Sequence, residues 1–189
     1  MKITRQGIIS AALSLADKNG LSGVSLKSVA DYLNIKTPSL YNHIESLEEL
    51  LFSAASYGMK EMNGLLKECA VGISGEQAVL AAARQYLSYL IMHPGIYETI
   101  QWAFWQNNQE IQQHFKDYRQ LLQKLIVSCG FNSVQAEENT DIISGFLHGF
   151  CTQQLGNAIS SPEKVFPKLE LAVKAMLKGL EMQAVTCKY

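Results

Sequence analysis

Lys36-Thr37-Pro38-Ser39-Leu40-Tyr41-Asn42-His43 reads as a short helix with a defined start and one uncommitted face. Thr37 is a good N-cap, because its hydroxyl can accept from an otherwise unpaired amide. Pro38 suits the first helical position, where a missing N–H costs nothing. Leu40 and Ile44 lie four apart, so one face can anchor in a core. The other positions carry donors, acceptors and one charge. A polar, sharply capped amphipathic helix of this size suits a DNA groove.

The preceding residues extend the pattern. Ser25 can cap a second short helix, in which Leu26, Val29, Ala30 and Leu33 share one face. Asn34 tolerates the left-handed backbone that ends a helix. Ile35 can plug the corner. Helix, tight turn and capped helix make a helix-turn-helix unit. An αα-hairpin in an all-helical core is the alternative, and the open polar face of the second helix argues against it.

Residues 23–44, Gly-Val-Ser-Leu-Lys-Ser-Val-Ala-Asp-Tyr-Leu-Asn-Ile-Lys-Thr-Pro-Ser-Leu-Tyr-Asn-His-Ile, resemble the DNA-binding signature of TetR-type transcriptional regulators. The most specific part is Leu40-Tyr41-x-His43-Ile44. The resemblance is strong over about the first quarter of the chain. The later half is similar in layout, and Gly145-Phe-Leu-His-Gly149 resembles the His-Gly element of one C-terminal subclass. One departure is Leu47, where the family often has a Lys near a DNA phosphate. That puts one backbone contact in doubt.

Composition agrees with a globular chain: 189 residues, 48% apolar, can build a sizeable core. There is no long apolar run to span a membrane and no signal-peptide stretch at the start, so a cytoplasmic protein is expected. Formal net charge is −1, which does not announce a nucleic-acid binder. Locally, Lys2, Arg5, Lys18, Lys27 and Lys36 stand against Asp17 and Asp31 in residues 1–44, an excess of +3 that leaves −4 for the remainder. A mildly basic end on an acidic body fits DNA contact at that end. Cys69, Cys129, Cys151 and Cys187 form no Cys-x-x-Cys pair, and inert thiols are the expectation. His43, His93, His114 and His148 lack metal-ligand spacing. No metal and no cofactor is expected.

Read in order, the chain is all-α, with roughly nine helices. Thr4 can cap the first helix, with Ile9, Ala12, Leu13 and Ala16 as its buried stripe and Gly20 as its stop. Its N-terminal end would bring Lys2 and Arg5 near phosphate. Ser46-Leu-Glu-Glu49 is a capping box that opens a long helix to about Ala70. Gly72 and Gly75 mark a boundary, after which Ser74 and Gln77 form another box. His93-Pro94-Gly95 stops that helix and starts a short aromatic one. Asn107-Asn108 punctuates before a helix striped by Ile111, Phe115, Tyr118, Leu122 and Leu125. Asn132 or Ser133 begins the penultimate helix, and Ser161-Pro162 the last. The expected domains are a three-helix helix-turn-helix DNA-binding domain over residues 1–46, a connecting helix over 47–70, and a ligand-binding and dimerisation domain over 71–189.

No nucleophile elbow, phosphate loop, metal signature or dinucleotide fingerprint is present, so an enzyme is not expected. His148, inside an aromatic run, reads first as a core histidine and second as a ligand contact. The aromatic residues around Pro94-Gly95 read either as ordinary core or as the wall of a site, since small-molecule sites are mostly apolar with a few polar groups. The resemblance implies an inducer cavity there. The candidate ligand residues are Tyr86, Leu90, His93, Tyr97, Gln101, Trp102, Trp105, Phe146 and His148, with Glu98 as a further polar candidate.

The resemblance also implies a homodimer through the last two helices, and Gly145 and Gly149 would permit close helix approach. The reading is a ligand-responsive regulator, a repressor released from a palindromic operator by a small apolar effector. Tyr41, His43 and Lys27 are the candidates for DNA phosphates. Lys36, Thr37, Ser39 and Asn42 are those for base edges, and Pro38 sets the helix start. The rival is a helical small-molecule-binding protein with weakened or lost DNA binding, supported by Leu47 and the small charge excess.

Overall fold

A computed structural model describes residues 3–156 and 162–186; the Ser161 cap, Lys2 and Cys187 lie outside the described residues. Among them the fold is all helical: α1 (Arg5–Asn19), α2 (Leu26–Tyr32), α3 (Leu47–Cys69), α4 (Gly75–Met92), α5 (Pro94–Trp105), α6 (Gln109–Val127), α7 (Ser133–Gly156) and α8 (Pro162–Thr186), with 3-10 segments at Leu21–Gly23 and Thr37–Asn42. Together these match the expected all-α reading. Two compact units divide the chain. The first holds the residues up to Glu61 together with Met92–Phe115. The second holds Met62–Ile91 and the described residues from Lys116 onward. Residues 92–115, which sequence alone assigns to the ligand-binding and dimerisation domain, therefore pack in the same unit as the head.

Helix starts follow local chemistry. The Thr4 hydroxyl accepts from Gly7 N–H at 3.1 Å and caps α1. Ser25 caps α2, and Ser28 completes a capping box by accepting from Ser25 N–H at 2.8 Å. Ser46 accepts from Glu49 N–H at 3.1 Å at the start of α3, while the Glu49 carboxylate reaches back to Glu45 N–H rather than to Ser46. Asn108 accepts from Glu110 and Ile111 N–H to open α6. Asn132 and Gln135 bond reciprocally to open α7. Asn107, at φ 57°, makes the turn before α6.

In the first unit α1 is buried over more of its circumference than the expected stripe. Ile8, Ala11 and Leu15 are buried beside Ile9, Ala12, Leu13 and Ala16. The cause is α5, which packs against α1. A Cβ at Gly95 would sit 2.2 Å from the Ala16 carbonyl carbon, so only glycine allows this backbone-to-backbone approach. On α3 a Cβ at Gly58 would meet Ile96 at 2.4 Å, so α5 is close-packed there too. Phe52 and Trp102 add a ring contact at 4.9 Å between centroids.

Polar groups lock the same contact. The α5 N-cap, His93, makes no side-chain cap bond. Asp17 of α1 supplies one instead, accepting from Gly95 N–H at 2.7 Å, with His93 Nδ1 at 3.6 Å from its other oxygen. A carboxylate at a helix N-terminus also meets the positive end of the helix dipole. In return, Glu98 of α5 accepts at 2.6 Å from Leu21 N–H, the first amide of the turn after α1. Asp17 thus satisfies an orphan amide at the start of α5, and Glu98 one at the start of the 3-10 turn that follows α1.

Asp17→Ala should lower stability by about 1 kcal/mol, the usual cost of a lost N-cap, and Asp17→Asn by less. Gly95→Ala should cost ~1–3 kcal/mol through overpacking. Urea unfolding measures both. Midpoints equal to the parent's in both alanine variants would show that α5 does not rest on α1 in this way.

Candidate nucleic-acid interface

The turn between α2 and the next segment is built as a left-handed helix end. Asn34 sits at φ 54°, and Ile35 N–H bonds Ala30 O at 3.0 Å. The chain then enters Thr37–Asn42 as a 3-10 helix, with Ser39 N–H bonded to Lys36 O and His43 N–H to Leu40 O. This corrects the expected cap. Lys36, not Thr37, is the N-cap residue, and no side chain caps the segment. Thr37 is the first helical residue, so Pro38 falls at the second position rather than the first. Pro38 donates no amide, and the short segment closes with i→i+3 bonds, the tighter geometry that short pieces adopt. Leu40 and Ile44 are buried, as their spacing demands.

The other face is open. Lys27, Lys36, Pro38, Tyr41 and Asn42 are exposed, and Thr37, Ser39 and His43 half-buried. None of the side chains of Lys27, Lys36, Thr37, Ser39, Tyr41, Asn42 and His43 is hydrogen-bonded or ion-paired to the described residues. Tyr41 is 57% exposed. Tyr32 is also exposed, with Lys18 Nζ 5.6 Å from its ring centre.

Arg5 is not free for phosphate. It pairs with Glu49 and donates to Ser53 Oγ at 2.9 Å. Arg5, Tyr41, Asn42, His43, Glu45 and Glu49 line one open cleft, so two carboxylates stand beside the candidate phosphate contacts. Leu47, half-buried, brings no charge there.

The candidate ligand residues divide between the units. In the first, Tyr97 is buried, His93, Gln101 and Trp102 are half-buried, and Trp105 is 78% exposed. Glu98 is bound to Leu21 N–H, a structural use. In the second, Tyr86 and Leu90 are buried, and Phe146 and His148 half-buried. Burial holds the His148 imidazole below its ordinary pKa. Neither unit gathers the whole set. The second unit does hold an apolar cavity of about 10 Å³, lined in part by Tyr86, Tyr118, Leu122 and Leu147. Tyr118 escaped notice because it sits in the apolar stripe of α6. Its phenol is the one polar tip among the five residues of that stripe, and this was the available signal.

One Ser, His and Glu meet in the first unit. Ser56 Oγ donates to Glu110 and lies 2.9 Å from His114 Nε2. A hydroxyl that donates to a carboxylate can only accept from the imidazole, the reverse of an activated nucleophile. The cluster pins α3 to α6. Among the described residues no three His, Cys, Asp or Glu side chains gather as metal ligands. No helix there is long and apolar enough to cross a membrane. The Cys151 thiol is buried and its pKa pushed up to about 12, and Cys129 is pushed up to about 11 by burial, with Glu181 and Glu76 adding to it.

Solved structures of transcriptional regulators share this all-helical fold. The chain superposes on the fatty acid degradation regulator FadR of Bacillus halodurans with a TM-score of 0.77, at 16% identity over 95% of this chain and 97% of that one. It superposes on a TetR variant of Acinetobacter baumannii AYE, solved in complex with minocycline, with a TM-score of 0.71 at 16% identity over 96% and 98%. In sequence it is 28% identical to YobS of Bacillus subtilis (strain 168), an uncharacterized HTH-type transcriptional regulator, over 94% of this chain and 93% of the relative. It is 34% identical to Rv0681 of Mycobacterium tuberculosis, another uncharacterized HTH-type regulator, over 51% of this chain and 44% of that one. No family model matches the sequence.

Proposed function

We propose that this protein is a DNA-binding transcriptional regulator of TetR type. As a cytoplasmic homodimer it represses from a palindromic operator and leaves it when a small apolar molecule binds. The observation that carries the reading is the face of 36–43, where the side chains of Lys36, Thr37, Ser39, Tyr41, Asn42 and His43 make no hydrogen bond or ion pair with the described residues, while Leu40 and Ile44 are buried. Similarity to an HTH-type regulator along nearly the whole chain supports it. Tyr41, His43 and Lys27 hold phosphates, and Lys36, Thr37, Ser39 and Asn42 reach base edges.

Two reading heads need a dimer, because helix-turn-helix pairs read half-sites on one DNA face. On α7, Ile142 is 48% exposed, and a methyl group placed on Gly145 or Gly149 would meet nothing within 4 Å. On α8, Leu171 and Met182 are exposed, with Ala175 and Gly179 between them at helical spacing. Apolar and small residues on both helices suit a close four-helix contact with a second copy. The complex of the Acinetobacter neighbour with minocycline supports a ligand-responsive body. An effector changes DNA affinity only by binding two conformations differently.

The second reading, a ligand-binding body with a weakened head, draws on Leu47 and on the Arg5–Glu49 pair beside Tyr41. Duplex titrations separate the two. Lys36→Ala should weaken binding and flatten the plot of log affinity against log salt by about 1.8 per dimer, about 0.9 for the counterion lost at each of the two heads. Tyr41→Phe and His43→Ala, compared at pH 8, should weaken binding with little change of slope. Unchanged affinity in all three variants excludes this segment as the reading head.

Leu171→Glu should leave the chain folded, because the side chain is 71% exposed in one subunit. It should weaken self-association by about tenfold or more, since it places a charge in an apolar contact. Sedimentation velocity reads the result, and a dimer as tight as the parent's moves the interface elsewhere.

A further inference from the structure

Tyr118 ends in a buried hydroxyl that has no hydrogen-bond partner among the described residues. Buried polar groups are nearly always paired, and buried tyrosines usually find a partner for the O–H. Tyr118 is one of the residues that line the small cavity in the second unit. Leu66 of α3, Tyr86 of α4, Leu122 and Leu125 of α6 and Leu147 of α7 make most of the remaining wall. Tyr86 and Tyr118 stack with ring centres 5.6 Å apart, forming one side of it. At about 10 Å³ the cavity has room for no more than a water, and a leucine wall gives a water few partners.

We propose that this cavity is the closed state of the effector site, and that its effector is a neutral apolar molecule carrying one hydrogen-bond acceptor for Tyr118. The proposal rests on the ligand-responsive reading above and specifies its chemistry. A carbonyl of a ketone, ester or amide is the group required. It accepts from the phenol, while the apolar remainder parts the leucines and the tyrosine pair. A carboxylate is disfavoured by charge, because no Lys, Arg or His is among the described residues that line the cavity. Arg119, the next residue, is ion-paired with Asp141. An anion there would be buried without a partner. Burial raises the Tyr118 pKa, so the phenol stays a donor at any ordinary pH.

The test uses the full chain and three probes of similar shape: acetophenone, α-methylstyrene and benzoate. Binding is followed by the leucine methyl NMR signals. The parent protein should prefer acetophenone to α-methylstyrene by about tenfold, the worth of one hydrogen bond, and should not bind benzoate. Tyr118→Phe should bind the two neutral probes equally, with a melting temperature at or above the parent's, because it loses only an unpaired hydroxyl. A parent that fails to bind acetophenone, fails to discriminate, or takes up benzoate equally well overturns the proposal. So does a preference that survives in Tyr118→Phe. Tyr118-dependent binding that leaves duplex affinity unchanged would uphold the site and overturn the regulatory reading instead.

Discussion

The contact on which the first unit depends is the reciprocal capping of α1 and α5. Asp17 accepts from Gly95 N–H in the first turn of α5, and Glu98 accepts from Leu21 N–H in the turn after α1. Neither bond would form if Gly95 carried a side chain, since the two backbones could not come within reach. Exposed single bonds of this kind contribute modestly. Here two of them flank the close approach of Gly95 to Ala16, in a unit where Ile8, Ala12 and Ala16 of α1 and Ile96 and Ile100 of α5 are all buried. The head therefore does not stand on α1, α2 and the 3-10 segment alone. A helix some eighty residues later completes its core. Any event that shifts α5 must strain Gly95 against Ala16 or carry α1 with it, because packed interfaces move in discrete steps rather than deforming smoothly.

The reading segment is held differently. Leu40 and Ile44 fix it to the core, while Asn34 sets the turn that aims it. Its backbone closes mainly with the i→i+3 bonds of a short 3-10 piece rather than those of a regular α-helix. The electrostatics nearby are mixed. Glu45 and Glu49 reduce the pull on phosphate, and Arg5 is spent on Glu49. In the proposed mode of action, affinity then rests on Lys27, Lys36 and neutral donors more than on bulk charge, and two heads acting together matter more than one.

Much of this was legible in the sequence. Periodicity located the helices, and the caps at Thr4, Ser25 and Ser46 were visible as residue types at fixed spacing. Asn34 marked its own turn. Thr37 misled because an N-cap preference concerns an α-helix, and Pro38 with a short span favoured 3-10 geometry instead. His93-Pro94-Gly95 reads as a break between two helices, and α4 does end at Met92, but Gly95 itself lies in the first turn of α5. Its second use, as the point where two backbones touch, depends on a partner far back in the chain, and no local pattern records that. Glu98 likewise looked like a ligand group because nothing in its neighbourhood names Leu21. The aromatic candidates around Pro94-Gly95 and those near Tyr86 share composition, yet they divide between two compact units. Tyr118 was hidden by its helical phase, which makes a phenol look like a leucine.

The most direct measurement is selection of duplexes from a random pool by the purified full chain. The account predicts enrichment of a palindrome whose half-sites recur at about 34–36 Å, one turn of DNA, or a multiple of it. A bound pool with no enriched sequence, or with single half-sites only, would contradict it.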